Sequence, residues 1–191
     1  MHELALPMTG GEDGRTQDTE LALLVRRAKA GDVAAFEQIL LLHERRVFLT
    51  AMRLLSSVED AKDAAQEVFL RLHKHLRHFD DTRDFAPWLY RVTVNVCRDI
   101  GGKRTREEAL PLDLAAAPPP PDWQDERRIV AMGLKRLPEK ERAALVLRDI
   151  EGLPTAEVAR VLGSSQATVR SQVSSARLKI KRFADRFMRR A

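Results

Sequence analysis

The sequence predicts an all-α protein of two small helical domains joined by a Pro-rich flexible linker, the C-terminal domain being a helix-turn-helix. Helix-forming Ala, Leu, Arg and Glu dominate the 191 residues, and no stretch alternates as a β-strand does. Between two regions of helical periodicity lie residues 107–123, where three alanines precede four consecutive prolines. Such a run favours an extended spacer. Residues 155–170 show the pattern of two short helices joined by a tight turn.

The N-terminal domain is predicted to span residues 18–106, after a disordered tail at 1–17. Apolar residues recur in it at intervals of three and four, as on one face of a helix. Its four helices are predicted at about 18–30, from a cap at Asp32 to about Ser56, from a cap at Ser57 through Leu76, and from Phe85 to Ile100. Gly101 and Gly102 are expected to end the fourth helix.

The C-terminal domain is predicted at residues 124–191, with helices at about 124–137 and 138–150 before the helix-turn-helix. Thr155 is a candidate N-cap, and Gly163 stands where a left-handed C-cap needs no Cβ. Ser165 can cap the next helix. Two helices joined in this way place the second one in the DNA major groove. A helical hairpin that binds another protein is the alternative interpretation.

The charge distribution favours nucleic acid as the ligand of the C-terminal domain. Residues 124–191 hold 16 Lys and Arg against 8 Asp and Glu, whereas residues 1–123 hold 17 against 20. Arg pairs bidentately with guanine and Gln with adenine, while further basic side chains hold phosphates. The polar face of the last helix carries these types at Gln166, Arg170, Ser171, Ser174, Arg177 and Lys181. A solvated charged face is the alternative.

Two N-terminal helices carry further candidate surfaces. In the fourth, Trp88 and Arg91 precede Asn95, a combination that suits stacking on unpaired bases and hydrogen bonding to their edges. Periodicity favours Trp88 as a core residue and leaves Asn95 with either a solvent or a binding role. The third helix has a charged face, which includes Asp63 and Glu67 and indicates either a protein partner or simple solvation.

Other function classes find no support in the sequence. No apolar run is long enough to cross a membrane, and the N-terminus lacks the pattern of a secretory signal. Cys97 stands alone, and His73, His75 and His78 have no paired carboxylate at metal-ligand spacing. No phosphate loop, nucleophile elbow or acid pair occurs. We therefore expect no membrane insertion, no cofactor or metal, no enzymatic activity and a cytoplasmic location.

Three segments in this order resemble the extracytoplasmic function (ECF) group of bacterial sigma factors. DAAQEVFLRLHKHL (63–76) is similar to the helix that binds the clamp helices of the RNA polymerase β′ subunit. FDDTRDFAPWLYRVTVNVCRD (79–99) is similar to the loop and helix that melt and read the −10 element. LPEKERAALVLRDIEGLPTAEVARVLGSSQATVRSQVSSAR (137–177) is similar to the region that reads the −35 element as duplex.

The resemblance implies a role for three groups of residues. The core-polymerase surface would comprise Asp63, Gln66, Glu67 and Phe69. The −10 surface would comprise Phe79, Asp80, Asp81, Thr82, Arg83, Asp84, Trp88, Arg91, Asn95, Lys103 and Arg104. The −35 surface would comprise Gln166, Arg170, Ser171, Ser174, Ser175, Arg177 and Lys181. Asp80 and Asp81 stand where relatives often have Gly after the Phe, and the two serines at 174 and 175 leave most weight on Arg170 and Arg177.

The resemblance also implies the partners. These would be core RNA polymerase, through its β′ clamp helices and its β subunit, promoter DNA, and an anti-sigma factor that covers both domains. The function implied is recognition of the −35 and −10 elements and opening of the duplex. A stand-alone helix-turn-helix regulator with an N-terminal protein-interaction domain is the alternative.

Overall fold

The structure, a computed structural model, describes residues 12–107 and 125–189. Every regular element within these ranges is helical. A 3₁₀ turn (Leu76–His78) follows the third helix, and a π-helical turn (Val146–Ile150) extends the sixth. In chain order the α-helices are α1 (Glu12–Lys29), α2 (Val33–Leu55), α3 (Val58–His75), α4 (Phe85–Glu107), α5 (Asp125–Lys135), α6 (Glu139–Leu145), α7 (Thr155–Leu162) and α8 (Gln166–Met188). The predicted all-α fold is confirmed.

Side-chain caps set the starts of α2 and α3 as predicted. The Asp32 carboxylate accepts a hydrogen bond from the Ala35 amide at 3.0 Å, and Ser57 Oγ accepts one from the Asp60 amide at 3.3 Å. Each cap satisfies an amide that has no partner within its helix. Helix α2 ends at Ser56, which takes the left-handed conformation at φ 58°.

Three predicted boundaries were wrong. Helix α1 begins at Glu12 rather than near residue 18, because an existing helix gains one hydrogen bond for each residue added. Helix α4 runs through Gly101 and Gly102 to Glu107, since glycine ends a helix only when it leaves helical φ. Thr155 is the first residue of α7, follows Pro154 and makes no cap bond. The remaining tail, residues 1–11, lies outside the described residues, as does the predicted linker beyond residue 107.

The N-terminal half packs α2, α3 and α4 around one apolar core. Small side chains let these helices approach closely, and Ala51, Ala61 and Ala64 are fully buried. Ile39 and Leu72 fill the space between the helices and are also fully buried. The core holds α3 and α4 side by side, so that their outer faces form one continuous surface.

The C-terminal half packs α6 and α7 against α8. Val158, Val169 and Ala176 are fully buried on the facing sides of α7 and α8, together with Leu147 of the π-helical turn. This core leaves the opposite side of α8 exposed. The two halves also touch each other, because α7 and the π-helical turn lie against α4 and α2.

Candidate nucleic-acid and polymerase interfaces

The turn between α7 and α8 has the geometry that a helix-turn-helix requires. Gly163 ends α7 in the left-handed conformation (φ 62°, ψ 42°), and the Ser164 amide donates to the Ala159 carbonyl at 2.9 Å. Ser165 then caps α8, since its Oγ accepts from the Thr168 amide at 3.0 Å. The left-handed residue reverses the chain within three residues, which fixes the angle between the helices.

Most of the predicted −35 residues share the exposed side of α8. The exposed members of the set are Gln166, Arg170, Ser171, Ser174, Arg177 and Lys181. Arg170, Ser174 and Arg177 follow the helical spacing of four and three residues, so they form one stripe. Guanidinium, amide and hydroxyl groups in such a stripe can address both base edges and phosphates.

Two predicted −35 residues have partners within the protein. The Arg177 guanidinium binds both Asp149 carboxylate oxygens, each at 2.7 Å, and this pair raises the pKa of Arg177. Ser175 is half-buried against α6, where its hydroxyl donates to Glu141 at 3.1 Å. Ser175 therefore faces the domain interior and not the exposed side of α8. The neighbouring Lys179 binds the same carboxylate at 2.7 Å.

An open groove between α3 and α4 brings three of the predicted −10 side chains together. Its volume is about 260 Å³. The lining side chains are Arg71, His75, Trp88, Arg91, Val92 and Asn95. Arg91 and Asn95 are exposed and Trp88 is half-buried, so the ring, the cation and the amide are all accessible from solvent. An aromatic face beside cations and an amide can hold an unstacked base.

Arg71 and His75 of α3 belong to this groove and were missed in the sequence analysis. Arg71 donates to Glu67 at 2.6 Å and to Asp99 of α4 at 2.9 Å, which ties the two helices together. Both carboxylates raise the pKa of Arg71. The place of Arg71 and His75 in the groove depends on how α3 packs against α4, so a sequence pattern within α3 alone could not reveal it.

The segment between α3 and α4 is attached to the core through Phe79. The Phe79 ring is buried and lies 4.8 Å from Trp88 and 5.6 Å from Phe85 between ring centroids. Lys29 of α1 donates to the Phe79 carbonyl at 2.6 Å and also binds Asp81. Phe79 is thus an anchor beneath the surface, and its contact with DNA stays a prediction.

The rest of that segment, residues 80–84, is exposed. Asp80 accepts hydrogen bonds from the Thr82 hydroxyl at 2.6 Å and the Thr82 amide at 3.1 Å, and it pairs with Arg83 at 3.1 Å. The bonds from Thr82 are the main cause of a lowered pKa at Asp80. These contacts close a compact turn beside the groove.

The predicted polymerase surface on α3 is largely accessible. Asp63 and Gln66 are exposed, and Glu67 is half-buried. Phe69, in contrast, is only 8% exposed and packs in the core, and its contact with polymerase stays a prediction. Leu70 is 66% exposed on the accessible side of α3. Its spacing of seven residues from Asp63 is the signal that could have identified it.

The predicted −10 residues Lys103 and Arg104 lie in the last turns of α4, and their side chains lie outside the described part of the structure. Within residues 12–107 and 125–189, no three His, Cys, Asp or Glu side chains are placed to hold a metal ion. No helix in the same ranges is long and apolar enough to cross a membrane.

Comparison with known proteins agrees with this arrangement. Residues 40–107 match the model of sigma-70 region 2, and residues 127–180 match that of sigma-70 region 4. The ECF RNA polymerase sigma factor SigM of Mycobacterium tuberculosis is 33% identical over 173 residues, covering 90% of this chain and 88% of the relative. The ECF RNA polymerase sigma-E factor of Escherichia coli is 27% identical over 177 residues, covering 81% and 89%.

Solved structures show the same architecture. CnrH, solved in complex with the cytosolic domain of CnrY, is 27% identical, with a TM-score of 0.68 and coverage of 86% of this chain and 96% of CnrH. The sigma factor RpoE of Bartonella quintana, solved with the anti-sigma factor NepR, shares the fold at a TM-score of 0.70 and 23% identity, over 80% of this chain and 98% of RpoE. With its region 2 groove and its region 4 helix-turn-helix, this chain belongs to the ECF group of RNA polymerase sigma factors.

Proposed function

We propose that the chain binds core RNA polymerase and directs it to promoters, reading the −35 element as duplex and the −10 element as single strand. The observation that carries this proposal is the groove between α3 and α4, where Trp88, Arg91 and Asn95 converge. A stand-alone regulator needs only the helix-turn-helix and has no use for a site that suits an unpaired base.

The −35 element would be bound by the exposed stripe of α8. Arg170 lies in the second turn of α8, where the side chains of a recognition helix reach base edges. Arg177 lies two turns further along and already holds Asp149, so we assign it to phosphate contact. Gln166, Ser171, Ser174 and Lys181 would supply the remaining contacts, and Ser175 would act only by fixing α8 against α6.

The −10 element would be bound in the groove after the duplex opens. Trp88 would stack on a base, Asn95 would hydrogen-bond to its edge, and Arg91 would hold the adjacent phosphate. Arg71 adds a second guanidinium to the wall of the groove, and His75 also lines it. The turn formed by residues 80–84 would close one end of the site, with Phe79 supporting it from below. Lys103 and Arg104 are assigned to the duplex next to it.

The α3 surface would bind the β′ clamp helices. Asp63, Gln66 and Glu67 provide polar contacts there, and Leu70 provides an exposed apolar side chain of the kind that interfaces bury. Phe69 would hold α3 in place from the core. The β subunit and an anti-sigma factor complete the proposed partners; both structural neighbours described above were solved with a partner.

The domain division and the location follow from this function. We assign residues 18–106 to region 2, 107–123 to the linker and 124–191 to region 4. The polymerase would supply all the synthesis chemistry, so the chain itself would catalyse no reaction. A protein that acts on promoters with polymerase works where the chromosome is, which in bacteria is the cytoplasm.

Run-off transcription with core enzyme tests the proposal. The chain should co-purify with core polymerase and start transcription at promoters mapped after its overexpression. Asn95→Ala should reduce promoter opening, measured by permanganate reactivity of unpaired thymines, and leave binding to a −35 duplex unchanged. Equal loss in both assays would contradict the −10 assignment. Tight duplex binding without any affinity for core polymerase would favour the stand-alone regulator.

Arg170→Ala should weaken binding to the −35 duplex by roughly 5- to 150-fold, the range expected when one bidentate base contact is lost. Arg186→Ala is the matched control, because it removes the same charge from the same helix four turns away. A similar loss in both variants would show that only net charge matters and would contradict base reading by Arg170.

A further inference from the structure

A buried carboxylate joins the two halves of the molecule. The Glu151 side chain, at the end of the π-helical turn, is only 4% exposed although it belongs to a segment between helices. Tyr90 of α4 donates to its Oε2 at 2.6 Å, and Arg53 of α2 donates to its Oε1 at 2.9 Å. Arg46 Nε lies 3.3 Å from Oε2, and Thr50 Oγ1 lies 2.8 Å from Oε1. Four groups from region 2 thus surround one side chain from region 4.

The backbone is shaped to present this carboxylate. In the π-helical turn the Glu151 amide donates to the Val146 carbonyl at 2.9 Å, five residues back, and this wider turn shifts the side chain relative to an α-helix. Gly152 follows with a positive φ of 78°, a conformation that other residues adopt only with strain. The Glu151 side chain therefore projects from region 4 in a fixed direction.

A buried carboxylate is stable only where its charge and its lone pairs are satisfied. Here two guanidinium groups balance the charge, and the Tyr90 hydroxyl donates to it in the interior. Burial, together with the nearby carboxylate, raises the pKa of Tyr90 above its usual range, so the phenol remains a donor at all physiological pH values. Arg98 and Glu139 form a second pair between the halves at 3.3 Å, but both side chains are at least half exposed.

This closed arrangement leaves the DNA-reading faces of both halves exposed but holds them too close together. A compact chain of 191 residues has a radius of gyration of about 16 Å and a diameter of about 40 Å. The −35 and −10 elements are about 25 base pairs apart, or about 85 Å along straight duplex at 3.4 Å per pair. Seventeen residues, 108–124, connect α4 to α5 and can span at most about 60 Å. The closed form cannot contact both elements, whereas separated halves can.

We infer that Glu151 is an autoinhibitory latch, which holds region 4 against region 2 in the free protein and must release Tyr90, Arg46 and Arg53 before both promoter elements can be engaged. The inference rests on the proposed function for its consequence at promoters but not for the closed state itself. Polymerase would open the latch by binding the separated halves more tightly than the closed pair.

The test uses the full-length chain and two variants that weaken the latch from opposite sides. Glu151→Gln removes the charge from region 4, and Tyr90→Phe removes one hydroxyl from region 2. Glu139→Gln is the matched control, because it removes a carboxylate from the exposed pair at the same interface, where ion pairs contribute little. Circular dichroism identifies any variant that fails to fold.

Small-angle X-ray scattering measures the state of the latch without polymerase or DNA. The wild type and Glu139→Gln should have the radius of gyration of one compact body, and both latch variants should be more extended. Affinity for core polymerase should rise on the order of tenfold in the latch variants, the effect of losing one charge-assisted hydrogen bond from the closed state.

Three results would overturn the inference: an extended wild-type chain, latch variants as compact as the wild type, or extended variants that bind core polymerase no more tightly than the wild type does. If the wild type is compact, the variants are extended and none of the proteins supports initiation, the proposed function fails while the closed state stands. The scattering and transcription arms therefore separate the two conclusions.

Discussion

Replacing His43 should remove much of the acid sensitivity of the N-terminal core. His43 lies on α2, is 8% exposed, and its ring centroid is 5.5 Å from that of Phe85. Its Nε2 atom is buried without a hydrogen-bond partner. Burial, helped by the nearby Arg46 cation, lowers the pKa of His43 from 6.5 to about 4. The imidazole is therefore neutral in the folded protein at pH values where it is charged in the unfolded chain.

The sign of the effect follows from proton linkage. Between pH 6.5 and pH 4 the unfolded chain holds more protons at this site, so the free energy of unfolding falls as the pH falls. The full loss is roughly 3 kcal/mol, because the pKa of His43 falls from 6.5 to about 4 on folding. About 2 kcal/mol of it should occur between pH 7.5 and pH 5.

Urea unfolding of wild type and His43→Gln at pH 7.5 and pH 5 measures the contribution of His43 to the pH dependence of the free energy of unfolding. The glutamine variant keeps a polar side chain that does not titrate, so its loss of stability between the two pH values should be smaller by about 2 kcal/mol. At a typical urea dependence, that is a difference of roughly 1 M in the midpoint. His78→Gln, at an exposed position, is the control and should behave as the wild type does. The same pH dependence in wild type and His43→Gln would refute the reasoning.

Two further substitutions test the fold of region 4. Leu147→Ala should lower the free energy of unfolding by roughly 2–5 kcal/mol, because the side chain is fully buried and leaves a cavity; urea unfolding measures this, and a change below 1 kcal/mol would contradict the packing described. Gly163→Ala should cost roughly 1–2 kcal/mol because φ is 62°, and it should weaken −35 binding through the altered turn; an unchanged melting temperature would show that the turn tolerates a Cβ.

Local sequence patterns were sufficient for much of the fold. The caps at Asp32, Ser57 and Ser165 could be predicted because each acts on amides only a few residues away. The left-handed Gly163 could be predicted for the same reason. The effect of Gly101 and Gly102 could not be predicted in this way, because it depends on whether the neighbouring helix turns stay packed.

Only part of the candidate site could be predicted from the sequence. Asn95 and Arg91 share one face of one helix, so periodicity and the family resemblance could place them together. Phe69 and Phe79 were assigned to surfaces, but their rings contribute more stability in the core than at an exposed position. Arg71 joins the groove only through the packing of α3 against α4.

The sequence by itself determined the helical fold, the helix-turn-helix and the kinds of side chain that face DNA, because these depend on residue spacing within single helices. Only the tertiary structure decided which faces remain open and which side chains are already occupied. Glu151 shows the difference most clearly: its partners at 46, 50, 53 and 90 are 61 to 105 residues away, and no local pattern reports on contacts across that distance. Burial and pairing are properties of the packed chain, so the latch and the neutral His43 exist only once the helices have assembled.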